Sequence, residues 1–227
     1  MVKRHAALFA GRLLFYLAGQ LILCAGIILN TKTGLGVAPI NSLPYLVSEI
    51  TPITLGQATS ILYLLCITAQ CLIRRRLSLQ ILLQFPFSYV FGLLIDLFNH
   101  LLDVVQPSNL LWALFWLAAA NVCTALGVTM GVSMNLVAAP PDCTVQTISQ
   151  VYRKDFGLVK NCFDLSMLLL SVLGGLLFPH RLVGIGAGTI ITALLVGRFA
   201  GLFRRLLDPV IQSLTSATLR NTFTTGE

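Results

Sequence analysis

Six apolar runs, each about 20 residues long, limit what this chain can fold into more than any other feature. They cover residues 6–29, 56–73, 79–102, 109–134, 158–178 and 184–203. A helix of that length crosses the roughly 30 Å hydrocarbon core of a bilayer. Composition removes the soluble alternative. Apolar residues make up 56% and charged residues only 10%, with mean hydropathy +0.87. A soluble domain carries about 25% Asp, Glu, Lys and Arg. This chain must be solvated by membrane lipid. The first run is too long for a secretory signal, and Asn30-Thr31-Lys32 is no small-residue cleavage site.

The charge is +7, from fifteen Lys plus Arg against eight Asp plus Glu. In a soluble protein this excess would point to nucleic acid. Here it follows the connections between spans, so no nucleic-acid partner is expected. With the N-terminus inside, thirteen of the fifteen basic residues lie on the inner side, including Lys3, Arg4, Arg12, Arg74-Arg75-Arg76, Arg153, Lys154 and Lys160. Only Lys32 and Arg181 fall outside. Cytoplasmic loops collect basic residues, so both termini are expected in the cytoplasm of a bacterial inner-membrane protein. Asp208-Pro209 is expected to break the last span, leaving 206–227 as a cytoplasmic tail.

The halves repeat. Shifted by 101 residues, Gln20 falls on Asn121, Gly26 on Gly127, and Ala38-Pro39 on Ala139-Pro140. Asn41 meets Asp142, Ser42 meets Cys143, and Gly56 meets Gly157. A shift of 105 aligns Gly92 with Gly197 in the last span of each half. Residues 1–105 and 106–205 each hold three spans. An odd number forces consecutive copies to enter the membrane from opposite sides, the inverted-repeat plan of many transporters. The expected fold is all-α and polytopic, with six transmembrane helices in 3+3 inverted repeats.

Each half also holds an interrupted segment, 33–51 and 132–154, broken by Gly and Pro yet still apolar. Each should contain a Pro-broken half-helix, capped by Asn41 or Ser42 in the first copy and by Asp142 in the second. As re-entrant helices their N-termini would point at a central site, since irregular backbone at membrane depth survives only against protein or a watered cavity. As amphipathic connectors they would lie in the two interfaces instead.

The chain resembles the YczE/YyaS/YitT group of small bacterial membrane proteins over residues 8–205. The likeness rests on Arg12, Gly19 and Gly26 running into Thr33-Gly34-Leu35-Gly36-Val37-Ala38-Pro39. It rests also on Gly184-Ile185-Gly186-Ala187-Gly188-Thr189, followed by Gly197. Members of the group often read Pro-Trp-Asp where this chain has Pro39-Ile40-Asn41. The resemblance implies a multi-span membrane protein and no particular chemistry.

Polar residues within spans are costly and mark candidate sites. The site set is Gln20, Pro39, Asn41, Ser42, Gln84, Asn121, Pro140, Asp142, Cys143, Thr144 and Asp164, gathered around the half-helix N-termini. Lys160 and Asp164 stand four apart on one helix face and can pair. Arg12 is expected to snorkel to the inner face or to find a polar partner between helices. Asp96, near the outer end of its span, is either exposed or paired. Phe85-Pro86-Phe87 should kink the third span beside Gln84. Gly184 with Gly188 and Gly197 with Gly201 are small-residue pairs that permit close packing.

The six cysteines form no metal-spaced or redox motif and read as core residues. HExxH, GxSxG and P-loop patterns are absent, so neither an enzyme nor a cofactor is expected. The expected function is movement of a small polar solute or ion by rocking or gating. Asp142 or Asp164 would bind a coupling H+ or Na+. Homo-oligomerisation is left open. The alternative is a non-transporting membrane protein that assists or regulates a partner.

Overall fold

The computed structural model describes residues 2–76, 78–134, 136–178, 180 and 182–222, with side chains between 9 and 214. Arg181 and residues 223–227 lie outside the described residues, as do the side chains of Lys3, Arg4 and Arg220. Eight helices occur among the described residues: α1 (Val2–Lys32), α2 (Pro39–Ile50), α3 (Leu55–Arg74), α4 (Leu79–Leu101), α5 (Leu110–Ser133), α6 (Pro140–Tyr152), α7 (Phe156–Leu177) and α8 (Ala187–Thr222). Five of them, α1 from Phe9, α3, α4, α5 and α7, are long and apolar enough to cross a membrane. Their outer faces expose Leu65, Leu111, Phe115 and Leu165, surface that lipid solvates.

The sixth apolar run lies in α8, diluted by Arg198, and α8 is not among the five. Contrary to expectation, α8 also runs on through Asp208-Pro209. A proline inside a helix frees the carbonyl four residues earlier. Here that residue, Arg205, is exposed, so solvent can donate to its carbonyl in place of the missing N–H.

Most helix starts follow from short capping sequences. Thr54 and Gln57 form a reciprocal capping box on α3. Ser78, Asn109 and Asp155 each accept the backbone N–H three residues ahead, starting α4, α5 and α7. The half-helices α2 and α6 depart from the expected caps. They begin at Pro39 and Pro140, after Ala38 and Ala139, with no side-chain cap. Proline at the first helical position lacks one of the N–H groups that a helix start leaves unpaired, and its φ is already helical. The start therefore moves back to the proline, and Asn41, Ser42 and Asp142 fall inside the first turns.

Close approach of α1 to α5 depends on glycine. A Cβ on Gly26 would sit 2.5 Å from the Thr124 nitrogen and 3.0 Å from the Ala120 oxygen. One on Gly127 would sit 2.5 Å from the Leu23 nitrogen and 2.7 Å from the Gly19 oxygen. The second contact is the first with every partner displaced by 101 residues. Around this pair, α2 packs on α7 and α3, and α6 packs on α3 and α7. Helix α4 lies against α3 and α1, while α8 lies against α5 and α1. At the middle of α3 and α7, Leu62, Cys66 and Met167 form a buried apolar cluster joined by Leu43 and Phe163. Leu43 belongs to the first turns of α2. Thr144, near the start of α6, donates its hydroxyl to the Cys66 carbonyl at 3.1 Å. The starts of both half-helices therefore reach the middle of the bundle.

Candidate functional site

A polar cavity of about 220 Å³ opens beside the start of α6, at the end of the bundle carrying Arg74-Arg75-Arg76. Four stretches enclose it: the last turns of α3, the first turns of α4, the end of α5 with 136–138, and α6. Its floor is an amide pair. Gln70 Nε2 donates to Gln84 Oε1 at 2.9 Å, and Gln84 Nε2 returns a bond to Gln70 Oε1 at 3.2 Å. Gln70 Nε2 also reaches the Pro140 carbonyl (3.1 Å) and the Thr144 hydroxyl (3.2 Å). Both glutamines are buried, so this pairing fixes the first turn of α6 against α3 and α4. Higher in the wall, Arg74 donates to Thr147 Oγ1 and Gln150 Oε1, both at 3.0 Å. Gln80, Cys143 and Gln146 also face the space. The described lining holds one cation and no carboxylate.

The sequence-derived site residues divide into groups. Gln84 and Cys143 line the cavity, while Pro140 and Thr144 form its base through Gln70. Gln20 lies one layer back, because a Cβ on the lining residue Gly131 would come within 2.5 Å of Gln20 Nε2. Asn121 is fully buried in α5, with neither amide atom hydrogen-bonded. Pro39, Asn41 and Ser42 belong to α2, away from this cavity. The Ser42 carbonyl accepts a bond from buried Ser171 of α7 at 3.1 Å, and the Ser42 hydroxyl donates to the Pro39 carbonyl at 2.7 Å. Asn41 N–H closes on the Ala38 carbonyl at 2.9 Å.

Asp142 and Asp164 turn toward Lys160 rather than the cavity. Lys160 Nζ is 3.1 Å from Asp142 and 3.3 Å from Asp164, joining α6 to α7 through a half-buried triad. The expected intrahelical pair thus gains a second carboxylate.

Gln70 and Arg74 were not among the sequence candidates. A glutamine one turn before an arginine run reads as an interfacial residue. The signal that finds it is the internal offset: Gln70 maps onto Ser171, and each holds the start of the other half's short helix.

Other charged residues are engaged in the frame. Arg12 Nη2 donates to the Met134 carbonyl at 2.7 Å and Tyr16 OH to the Val137 carbonyl at 2.8 Å, so α1 fixes 134–137. At the opposite end a second cavity, about 430 Å³, is bounded by Glu49, Asp96, His100 and Asp103 among others. Asp96 accepts the Thr54 hydroxyl (2.6 Å) and the Gly56 N–H (2.8 Å), capping α3. Asp103 pairs with Lys32 at 2.8 Å, and this hydrogen bond holds its carboxyl below the usual aspartate value.

Long apolar helices around polar cavities at the two ends of the bundle define a polytopic helical membrane protein. The chain belongs to a family of unknown function (DUF6198), whose pattern matches residues 10–205. It is 29% identical over 211 residues to the uncharacterized membrane protein YczE of Bacillus subtilis (strain 168), covering 92% of this chain and 91% of that protein. The resemblance drawn from Arg12, the early glycines and the 184–189 run therefore holds. No solved structure matches the chain.

Proposed function

We propose that the protein carries a small polar solute across the bacterial cytoplasmic membrane. It would do so with six spans in 3+3 inverted repeats and both termini inside. The observation that carries this reading is the polar cavity ending at the start of α6, backed by an apolar plug of Leu62, Cys66 and Met167. A watered pocket that stops at a dry centre is what a carrier caught between its two openings requires. Several contacts support the inverted duplication. Gly26 and Gly127 make exchanged contacts, Gln70 and Ser171 each hold the other half's short helix, and Leu62 and Cys66 face their own counterparts, Phe163 and Met167. With Arg74 and no acid in the lining, the cavity favours a neutral or anionic solute over a cation. Asp142, Lys160 and Asp164 are the coupling candidates for H+ or Na+. No reaction or cofactor is assigned.

The test is thermal stabilisation of the purified protein across a metabolite panel, since a ligand at 100 times its Kd adds about 2.7 kcal/mol. The expected result is a rise with one class of neutral or anionic compounds, lost in Gln84→Leu. No rise with any compound, with Cys143 unreactive to water-borne maleimide, would sink the reading. The filled centre itself favours a second reading, a non-transporting protein that assists a partner. That reading predicts a reactive Cys143 with no solute response.

A further inference from the structure

The two ends of the bundle are built from equivalent segments but are not in the same state. In the first half, 35–37 meets the stretch leading into α8. Val37 N–H donates to the Gly184 carbonyl and Gly188 N–H to the Leu35 carbonyl, each at 2.8 Å. The approach is so close that a Cβ on Gly36 would lie 2.6 Å from the Gly186 nitrogen and from Thr189 Oγ1. Below this seam, Asn30 donates to Thr192 at 3.0 Å in a buried bond.

The equivalent pieces of the other half are 136–138, by the 101-residue offset, and 79–83, by the 105-residue offset. They face each other across the 220 Å³ cavity. No backbone bond joins them among the described residues. Gly36, Gly186 and Gly188 correspond to Val137, Ile81 and Leu83. Side chains at these positions prevent the backbones from meeting as they do at the other end.

We propose that the 184–189 run is the outer gate of the carrier, closed on 35–37 in this structure while the equivalent inner seam is open. This rests on the transport reading above. The 430 Å³ cavity at the outer end lies beside α3 and α4 and has no residue of the seam in its lining. In the alternate state the seam at Leu35 and Val37 parts, and α4 closes on 136–138 through the side chains of Ile81 and Val137. Each end then passes through the arrangement its counterpart shows, as opposed repeats around one plug allow. Glycine at 36, 186 and 188 sets how tightly the outer end shuts. A side chain there shifts the balance toward the outward-open form.

The test uses the internal equivalence of Ser42 and Cys143. Ser42 is fully buried on the outer side of the plug, whereas Cys143 is partly exposed on the inner. The full-length protein in sealed lipid vesicles, with Cys71, Cys123 and Cys162 replaced by Ser, is labelled from each side with an impermeant maleimide. Cys143 should react from the basic side. Ser42→Cys, with Cys143 also replaced, should react slowly from the other. Adding Gly186→Val should raise that outer reactivity by about tenfold, as a population shift of that size demands. A disulfide between Leu35→Cys and Gly188→Cys should abolish the rise in the Gly186→Val background. The Cβ positions lie 3.0 Å apart, closer than the usual disulfide spacing of about 3.5–4.5 Å, so the bridge forms once the two segments ease apart slightly.

If Ser42→Cys stays unreactive in the Gly186→Val variant while Cys143 reacts, the gate assignment is overturned and the inner cavity stands. Equal reactivity of Ser42→Cys and Cys143 in the parent background also overturns it, because the path is then an open pore. If neither cysteine reacts in any variant, the transport reading falls with it.

Discussion

The third and fourth helices of the two halves are joined in opposite ways. In the first half α3 and α4 touch backbone to backbone. A Cβ on Gly56 would run into the Gly92 carbonyl and the Asp96 carboxylate, and one on Gly92 into the Ser60 hydroxyl. Asp96 then ties the seam by capping α3. In the second half the equivalent glycines meet no partner helix. Gly157 has only Asp155 beside it, and Gly197 and Gly201 have nothing within 4 Å. Helix α7 packs on the half-helices and α8 on α5 and α1, with no comparable contact between them. The sequence predicts close packing for both small-residue pairs of the sixth apolar run. Gly184 and Gly188 pack closely, whereas Gly197 and Gly201 do not. One half is a clamp, and the other leaves two elements free to move separately. If the protein is a carrier, the first is suited to be its frame and the second its moving part.

Substitution at the seam tests this contrast most severely. Gly56→Leu should destabilise by about 3 kcal/mol or prevent folding, because overfilling a tight contact costs that much. Gly197→Leu should stay within about 0.5 kcal/mol, as open surface allows. Thermal unfolding in detergent reads both, and equal losses would erase the distinction.

The next largest effect concerns what ties the looser half together. Lys160→Met leaves Asp142 and Asp164 without their cation, costing about 1–2 kcal/mol for partly exposed groups. Adding Asp142→Asn and Asp164→Asn should return most of that loss, measured by the same unfolding curves. If transport is coupled through these groups, the triple variant should also lose the pH dependence of uptake.

Gln70→Leu should weaken solute-dependent stabilisation more than it lowers melting temperature. It removes the bonds to Pro140 and Thr144 at the cavity floor but leaves α3 packed.

The smallest effect belongs to Lys32 and Asp103 at the clamped end. Lys32 lowers the Asp103 pKa, so the pair contributes stability above the ordinary aspartate value. That contribution fades as pH falls through the folded-state value, below about 4. Lys32→Met should shift melting slightly at neutral pH and not at pH 3. A shift of the same size at both would assign the effect to packing.

Much of the frame was legible in residue order. Apolar run lengths locate the long helices, while the caps Thr54, Ser78, Asn109 and Asp155 come from the structure, although their chemistry operates within four residues. The half-helices start before Asn41 and Asp142 because a leading proline, with helical φ and no N–H to leave unpaired, begins a helix without a side-chain cap. The site was legible only in part, for a geometric reason. Sequence reports that Gln20, Gln84 and Asn121 are polar and deep, but not which way each points around its helix. Gln84 turns to the cavity, Gln20 stands behind Gly131, and Asn121 is enclosed without a hydrogen-bonding partner. Asp142 and Asp164 were found by charge and displaced by Lys160, whose reach links two helices. The offset of 101 residues held most of the missing information, since it ties Gln70 to Ser171.

The seam at 35–37 and 184–188 consists of main chain and glycine, which present the same amide surface whatever approaches. Such a surface has almost no means of telling one compound from another. If the protein carries a solute, discrimination must be exercised at the opposite mouth, where guanidinium, amide and thiol groups are on display. Mutations that change a cargo would then accumulate around Arg74 and Gln146, while the glycine seam stays as it is.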